Sequence, residues 1–319
     1  MTQISARSSE FQLASISSMA PIPVTPDLGC TLEDRLGQIG LREMRASFDP
    51  KAGLLHCRFA FRGRPSFTPA LIADIDRIQD VAAAYQTDDG AGNPIRYICW
   101  ASDEPGIWSA GGDLELFSEL IRSRDRARLM AYARSVISAG YRNHLALELP
   151  MVTVALVQGQ ALGGGFEAAL SSNILIAERR ARFGLPESLF NLFPGMGAYS
   201  YLARRIAPAL AERMILSGRL YTAEELYELG VVDVLCGDGE GERALYGFMA
   251  RTEQAHAMQR AVLAARRRIN PITIEELEAI AEDWVDLAMG LGQRDLSIMA
   301  RLVSAQNRRR TQGDSPKLA

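Results

Sequence analysis

The chain has 319 residues, 48% of them apolar and 23% charged, with a formal net charge of −3. That composition suits a globular protein with a sizeable buried core, and nothing in the charge balance argues for a nucleic-acid partner. No apolar run is long enough to span a bilayer, because Val152 to Leu170 is broken by glycines and by Glu167.

Met1 to Gly29 is rich in Ser, Thr and Pro and lacks a basic head followed by an apolar core. It reads as a disordered extension rather than a signal peptide. Leu54 to Phe61 has strand character, and Phe67 to Tyr85 places Leu71, Ile75, Ile78 and Ala82 at helical spacing. Arg96 to Ala101 predicts a second strand, and Leu114 to Tyr141 reads as one helix. Val152 to Leu170 then runs from an apolar β-branched segment through a glycine turn into a helical pattern. From Glu242 the patterns are all helical, interrupted at Pro271. The expected organisation is an α/β core with ββα repeats over residues 30–240, a helical C-terminal region over 241–312 and a frayed tail over 313–319. Cys30, Cys57, Cys99 and Cys236 are scattered without paired spacing, as free thiols in a reducing cytoplasm would be. His56, His144 and His256 have no metal-like spacing, so no metal site is expected.

The chemistry gathers in two stretches. Val157-Gln-Gly-Gln-Ala-Leu-Gly-Gly-Gly-Phe-Glu167 puts a glycine turn at a helix start, where backbone N–H groups lack partners and can hold an oxyanion. The same glycines would also let a helix pack close to a strand. Ala181-Arg-Phe-Gly-Leu-Pro-Glu187 places a second carboxylate on a turn fixed by Pro186. Both glutamates have few polar neighbours, a setting that raises a carboxyl pKa toward neutrality. Two such carboxyls beside an oxyanion hole can move protons next to a thioester carbonyl, although spacing does not assign acid and base. No Gly-x-Ser-x-Gly elbow supplies a nucleophilic serine.

These two stretches, with Phe193-Pro-Gly-Met-Gly197 and Trp108-Ser-Ala-Gly-Gly-Asp113-Leu, resemble the crotonase (enoyl-CoA hydratase/isomerase) superfamily from about Leu54 to about Gly237. The resemblance implies the crotonase fold, no cofactor, catalytic roles for Glu167 and Glu187, and an oxyanion hole from the N–H groups of Gly112 and Gly164. Having both glutamates favours adding or removing water, since hydratases of the superfamily use both positions. It also implies trimers or dimers of trimers.

Gly111-Gly-Asp-Leu, Phe166-Glu-Ala-Ala-Leu, Asn191-Leu-Phe-Pro-Gly-Met-Gly-Ala-Tyr-Ser and Glu282-Asp-Trp-Val-Asp are similar to the RpfF-type diffusible-signal-factor synthases. This narrower likeness implies dehydration of a 3-hydroxyacyl chain on acyl carrier protein, followed by thioester hydrolysis to a cis-2-unsaturated fatty acid signal. An ordinary enoyl-CoA hydratase is the alternative, and a non-catalytic scaffold binding a sensor kinase is an alternative of another class. Leu162, Met196 and Trp284 are candidates for the acyl-pocket wall, or ordinary core. Arg122, Arg124, Arg126 and Arg128 are candidates for carrier docking, or a solvated helix face.

Overall fold

The computed structural model describes residues 31–88 and 92–312. The N-terminal extension, Cys30 and the tail from 313 lie outside the described residues. Helix α1 (Leu32–Gln38) starts at a capping box in which Thr31 and Asp34 satisfy each other's backbone N–H groups. Strands β1 (Met44–Asp49) and β2 (Leu54–Phe59) form an antiparallel hairpin, and helix α2 (Pro69–Asp88) follows. Next come β3 (Tyr97–Ser102), β4 (Ile107–Ser109), α3 (Leu114–Arg122) and α4 (Arg126–His144). The third segment runs β5 (Val152–Val157), β6 (Gln160–Leu162) and α5 (Gly164–Ser171). It is followed by β7 (Ile174–Glu178), β8 (Arg182–Gly184) and a 3-10 turn over Pro186–Phe190. The chain continues through α6 (Ala198–Leu202), α7 (Pro208–Ser217), β9 (Leu220–Thr222), α8 (Ala223–Glu228) and β10 (Val234–Cys236). It ends in α9 (Gly241–Thr252), α10 (His256–Ile269), α11 (Ile274–Met289) and α12 (Gln293–Gln312).

The helix expected over Leu114 to Tyr141 is two helices. Arg124 turns the backbone left-handed at φ 57, and Asp125 then caps α4 by accepting the Arg128 N–H at 3.0 Å. Apolar periodicity continues across the junction, which is why the pattern alone reads straight through it.

Two sheets organise the core. The larger has the order β1-β2-β3-β5-β7-β10 and the smaller β4-β6-β8-β9. Each ββα repeat gives its long strand to the first sheet and its short strand to the second, as in β3–β4, β5–β6 and β7–β8. Central β5 is buried at every residue, as a parallel strand covered on both faces must be. The C-terminal helices join the same apolar core, with Leu277, Ala281, Trp284 and Val285 among its buried residues. Among the described residues no helix is long and apolar enough to cross a membrane.

Candidate active site

The small sheet assembles the site. Strands β4, β6 and β8 lie side by side and parallel, so the chain leaves all three at the same edge. Beyond β4 it forms Gly111-Gly112, beyond β6 Gly163-Gly164, and beyond β8 the turn bearing Glu187. Segments about 50 and 25 residues apart in sequence therefore converge because of register in one sheet.

The glycines divide the work. Gly163 sits at φ 51 as the residue before α5, and a Cβ there would stand 2.5 Å from Glu187 Oε1, so the carboxyl lies directly over this backbone. A Cβ on Gly164 would stand 3.2 Å from the Gly112 nitrogen and 3.8 Å from Glu167 Oε2. The N–H groups of Gly112 and Gly164 have no hydrogen-bond partner among the described residues. Gly165 instead permits close packing, since a Cβ there would come within 2.7 Å of the Ser109 carbonyl oxygen on β4. Gly165 thus serves close packing, while Gly112 and Gly164 leave their N–H groups unpaired among the described residues.

Glu167, on the first turn of α5, is 3% exposed. Its Oε1 accepts the Met196 N–H at 2.8 Å and the Ala198 N–H at 3.0 Å. Burial pushes its pKa up to about 7, against the opposing pull of those two bonds. Glu187 is half-buried, and its Oε2 has no partner. Burial first, then the negative charge of Glu167, push it up to about 8. Two interacting carboxyls raised in this way share protons as a unit and hold one between them near neutrality.

Glu167 and Gly164 line a cavity of about 50 Å³. Its wall includes Phe59, Phe67, Ile72, Ile75, Trp100 and Val136, a lining that suits an apolar group. Of the three wall candidates, Met196 lines this cavity, whereas Leu162 and Trp284 lie outside its lining. What Leu162 brings to the site is backbone: its carbonyl oxygen would lie 2.6 Å from a Cβ on Gly111. Trp284 packs on Gly195, where a Cβ would meet its Cγ at 2.3 Å, and makes a T-shaped contact with Phe117 at 5.2 Å. The Phe117 ring in turn leaves only 2.7 Å for a Cβ on Gly112 and stands against Tyr132 at 5.0 Å. The Tyr132 hydroxyl donates to the Phe67 carbonyl at 2.7 Å. Phe117, Tyr132 and Trp284 therefore brace the Gly111-Gly112 loop from behind, a role that sequence reasoning missed.

All four arginines are exposed around the α3–α4 junction. Arg126 pairs with Asp286 at 2.7 Å and Arg128 approaches Asp125 at 3.7 Å. Arg122 and Arg124 have no ion pair among the described residues.

Known proteins share this architecture. A methylglutaconyl-CoA hydratase of mitochondria from Mus musculus is 36% identical over 151 residues, which are 47% of this chain and 46% of that protein. The chain thus spans less than half the length of that relative. The enoyl-CoA hydratase domain-containing protein 2 of human mitochondria is 28% identical over 267 residues, 82% of each chain. The crystal structure of an enoyl-CoA hydratase from Bacillus halodurans superposes with a TM-score of 0.66 at 21% identity, covering 82% of this chain and all of that one, a likeness of fold. The enoyl-CoA hydratase/isomerase family model matches residues 78–272, a span holding both glycine turns, both glutamates and the loop that binds Glu167. By that match and by its crotonase fold, the chain belongs to the enoyl-CoA hydratase/isomerase, or crotonase, family.

Proposed function

We propose that the protein removes water from, or adds it to, the Cα–Cβ bond of an acyl thioester with an apolar chain. The observation behind this is the pairing of two carboxyls, both raised by burial, with two free glycine N–H groups at the mouth of an apolar cavity. In the elimination direction one carboxylate takes the Cα proton, and the electron pair moves onto the thioester oxygen. The Gly112 and Gly164 N–H groups stabilise that oxyanion. As the double bond forms, the Cβ hydroxyl leaves with a proton from the other carboxyl, giving water. A pair that holds one proton between its members supplies both partners at once. Each CH₂ that the chain buries in the cavity contributes roughly 0.8 kcal/mol.

The finer reading is synthesis of a cis-2-unsaturated fatty acid signal from 3-hydroxyacyl carrier protein. The enoate would be released when a carboxylate takes a proton from a water that attacks the thioester carbonyl, the same donors hold the tetrahedral oxyanion, and its collapse breaks the C–S bond so that the carrier's thiol leaves with that proton. Supporting it are the four segments similar to the synthases and the unpaired Arg122 and Arg124, which offer positive charge to an acidic carrier. The enoyl-CoA hydratase reading draws on the named relatives. One experiment separates them. The purified protein is given 3-hydroxyacyl carrier protein and, separately, 2-enoyl-CoA, and the products are read by mass spectrometry. A free cis-2-enoic acid from the first supports the synthase. Hydration of the second without a free acid supports the hydratase. Neither product would refute the proposed reaction.

A further inference from the structure

A polar atom buried in a cavity wall ordinarily has a hydrogen-bond partner. The Trp100 indole N–H donates to Asn143 Oδ1 at 2.7 Å, and Asn143 Nδ2 donates to the hydroxyls of Ser171 at 2.9 Å and Ser172 at 3.1 Å. The Ser171 hydroxyl donates to the Ala168 carbonyl at 2.7 Å. Two other wall residues break the pattern. Gln79 on α2 is fully buried and donates from Nε2 to the Ala139 carbonyl at 3.0 Å. A carbonyl can only accept, so that bond fixes which way the amide points. Its Oε1 is left without a partner among the described residues. Tyr201, 3% exposed, has a hydroxyl that makes no hydrogen bond among the described residues and would lie 3.6 Å from a Cβ on Gly140. Ala139 and Gly140 are consecutive on α4, and both line the cavity. A free acceptor and a free hydroxyl thus flank one step of a helix in a wall where Asn143, Ser171 and Glu167 already have partners.

We propose that Gln79 and Tyr201 form a binding site for a hydroxyl carried by the acyl chain beyond its reacting carbons. This rests on the reading that the cavity holds an acyl chain. The ligand hydroxyl donates to Gln79 Oε1 and accepts from the Tyr201 hydroxyl. A hydroxyl is donor and acceptor at once and carries no charge, which suits a wall without Lys or Arg. A carboxylate has no hydrogen to offer Gln79, and it would bring a buried charge with no cation beside it. A methyl-ended chain leaves both wall groups unpaired. Sites built to hydrogen-bond a ligand hydroxyl discriminate against analogues lacking it far more strongly than apolar pockets discriminate by size.

Trp100 and Trp108 line the cavity, so their fluorescence reports occupancy without turnover. The full chain is titrated with decanoic, dodecanoic and tetradecanoic acids and with their monohydroxy isomers substituted beyond the reacting carbons. At least one isomer should bind at least about tenfold tighter than its parent. Gln79→Leu and Tyr201→Phe should each remove that advantage. Tyr201→Phe keeps the ring against His144 and Gly197, so it tests the site even if Gln79→Leu fails to fold. No preference for any isomer, a preference that survives Tyr201→Phe, or no binding of any acid would each overturn the proposal. A protein that binds the hydroxylated acid selectively but turns over no thioester keeps this site and loses the proposed reaction.

Discussion

Glu167→Gln separates a buried carboxyl that binds its proton tightly from an ordinary surface glutamate. The replacement keeps an oxygen to accept the Met196 and Ala198 N–H bonds and removes only the charge. Folding raises this carboxyl from its ordinary 4.5 to about 7, so the folded state binds the proton more tightly than the unfolded state does. The resulting stability is fully present below 4.5 and is lost as pH climbs through about 7. At about 1.4 kcal/mol per pH unit, the loss approaches roughly 3 kcal/mol. The glutamine variant does not suffer it, and relief of Glu187 from its neighbour's charge acts in the same direction. At roughly 2 °C per kcal/mol for a chain of this size, the variant should melt about 6 °C above wild type at pH 8 and close to it at pH 5. Paired thermal melts across that range make the comparison, and dehydration should fall by about 10²–10⁴-fold in the same variant. A melting gap that ignores pH, or one that opens toward acid, would refute the claim that Glu167 is a buried carboxyl of raised pKa.

Because the pair titrates as a unit, kcat/KM should peak between about 7 and about 8, falling on the acid side when both carboxyls are protonated and on the alkaline side when neither is. A flat profile over that interval would contradict the shared proton. Gly164→Val should abolish turnover in a protein that still melts cooperatively, since its side chain would stand between the Gly112 nitrogen and Glu167 Oε2. Full activity would move the oxyanion hole elsewhere. Reversing Arg122 and Arg124 to Glu should raise KM for a carrier-protein substrate with little change in kcat or in turnover of a carrier-free thioester. The effect should fade with salt, because such attraction is screened beyond roughly 8–10 Å. An unchanged KM at low salt would remove this docking surface.

The features legible in the sequence are those made by neighbouring residues. An apolar run, three glycines and a glutamate specify strand, turn and helix start wherever they occur, because the bare N–H groups and the positive φ of Gly163 are properties of local backbone. The same holds for Pro186 setting the turn that carries Glu187. The break at Arg124 was also local, marked by the Asp125 cap, but apolar periodicity hid it. What periodicity and composition could not supply was which segments meet. That depended on β4, β6 and β8 pairing in parallel, which brings Gly112, Gly164 and Glu187 to one sheet edge. Burial of Glu167, and with it the raised pKa of that carboxyl, depended on the loop through Met196 closing over it. Helical spacing gives the same apolar signature to a residue that lines a cavity and to one that packs behind it. Only tertiary contacts therefore placed Ile72, Ile75 and Gln79 in the wall and Trp284 behind the Gly112 loop, since each position depends on chain segments remote in sequence.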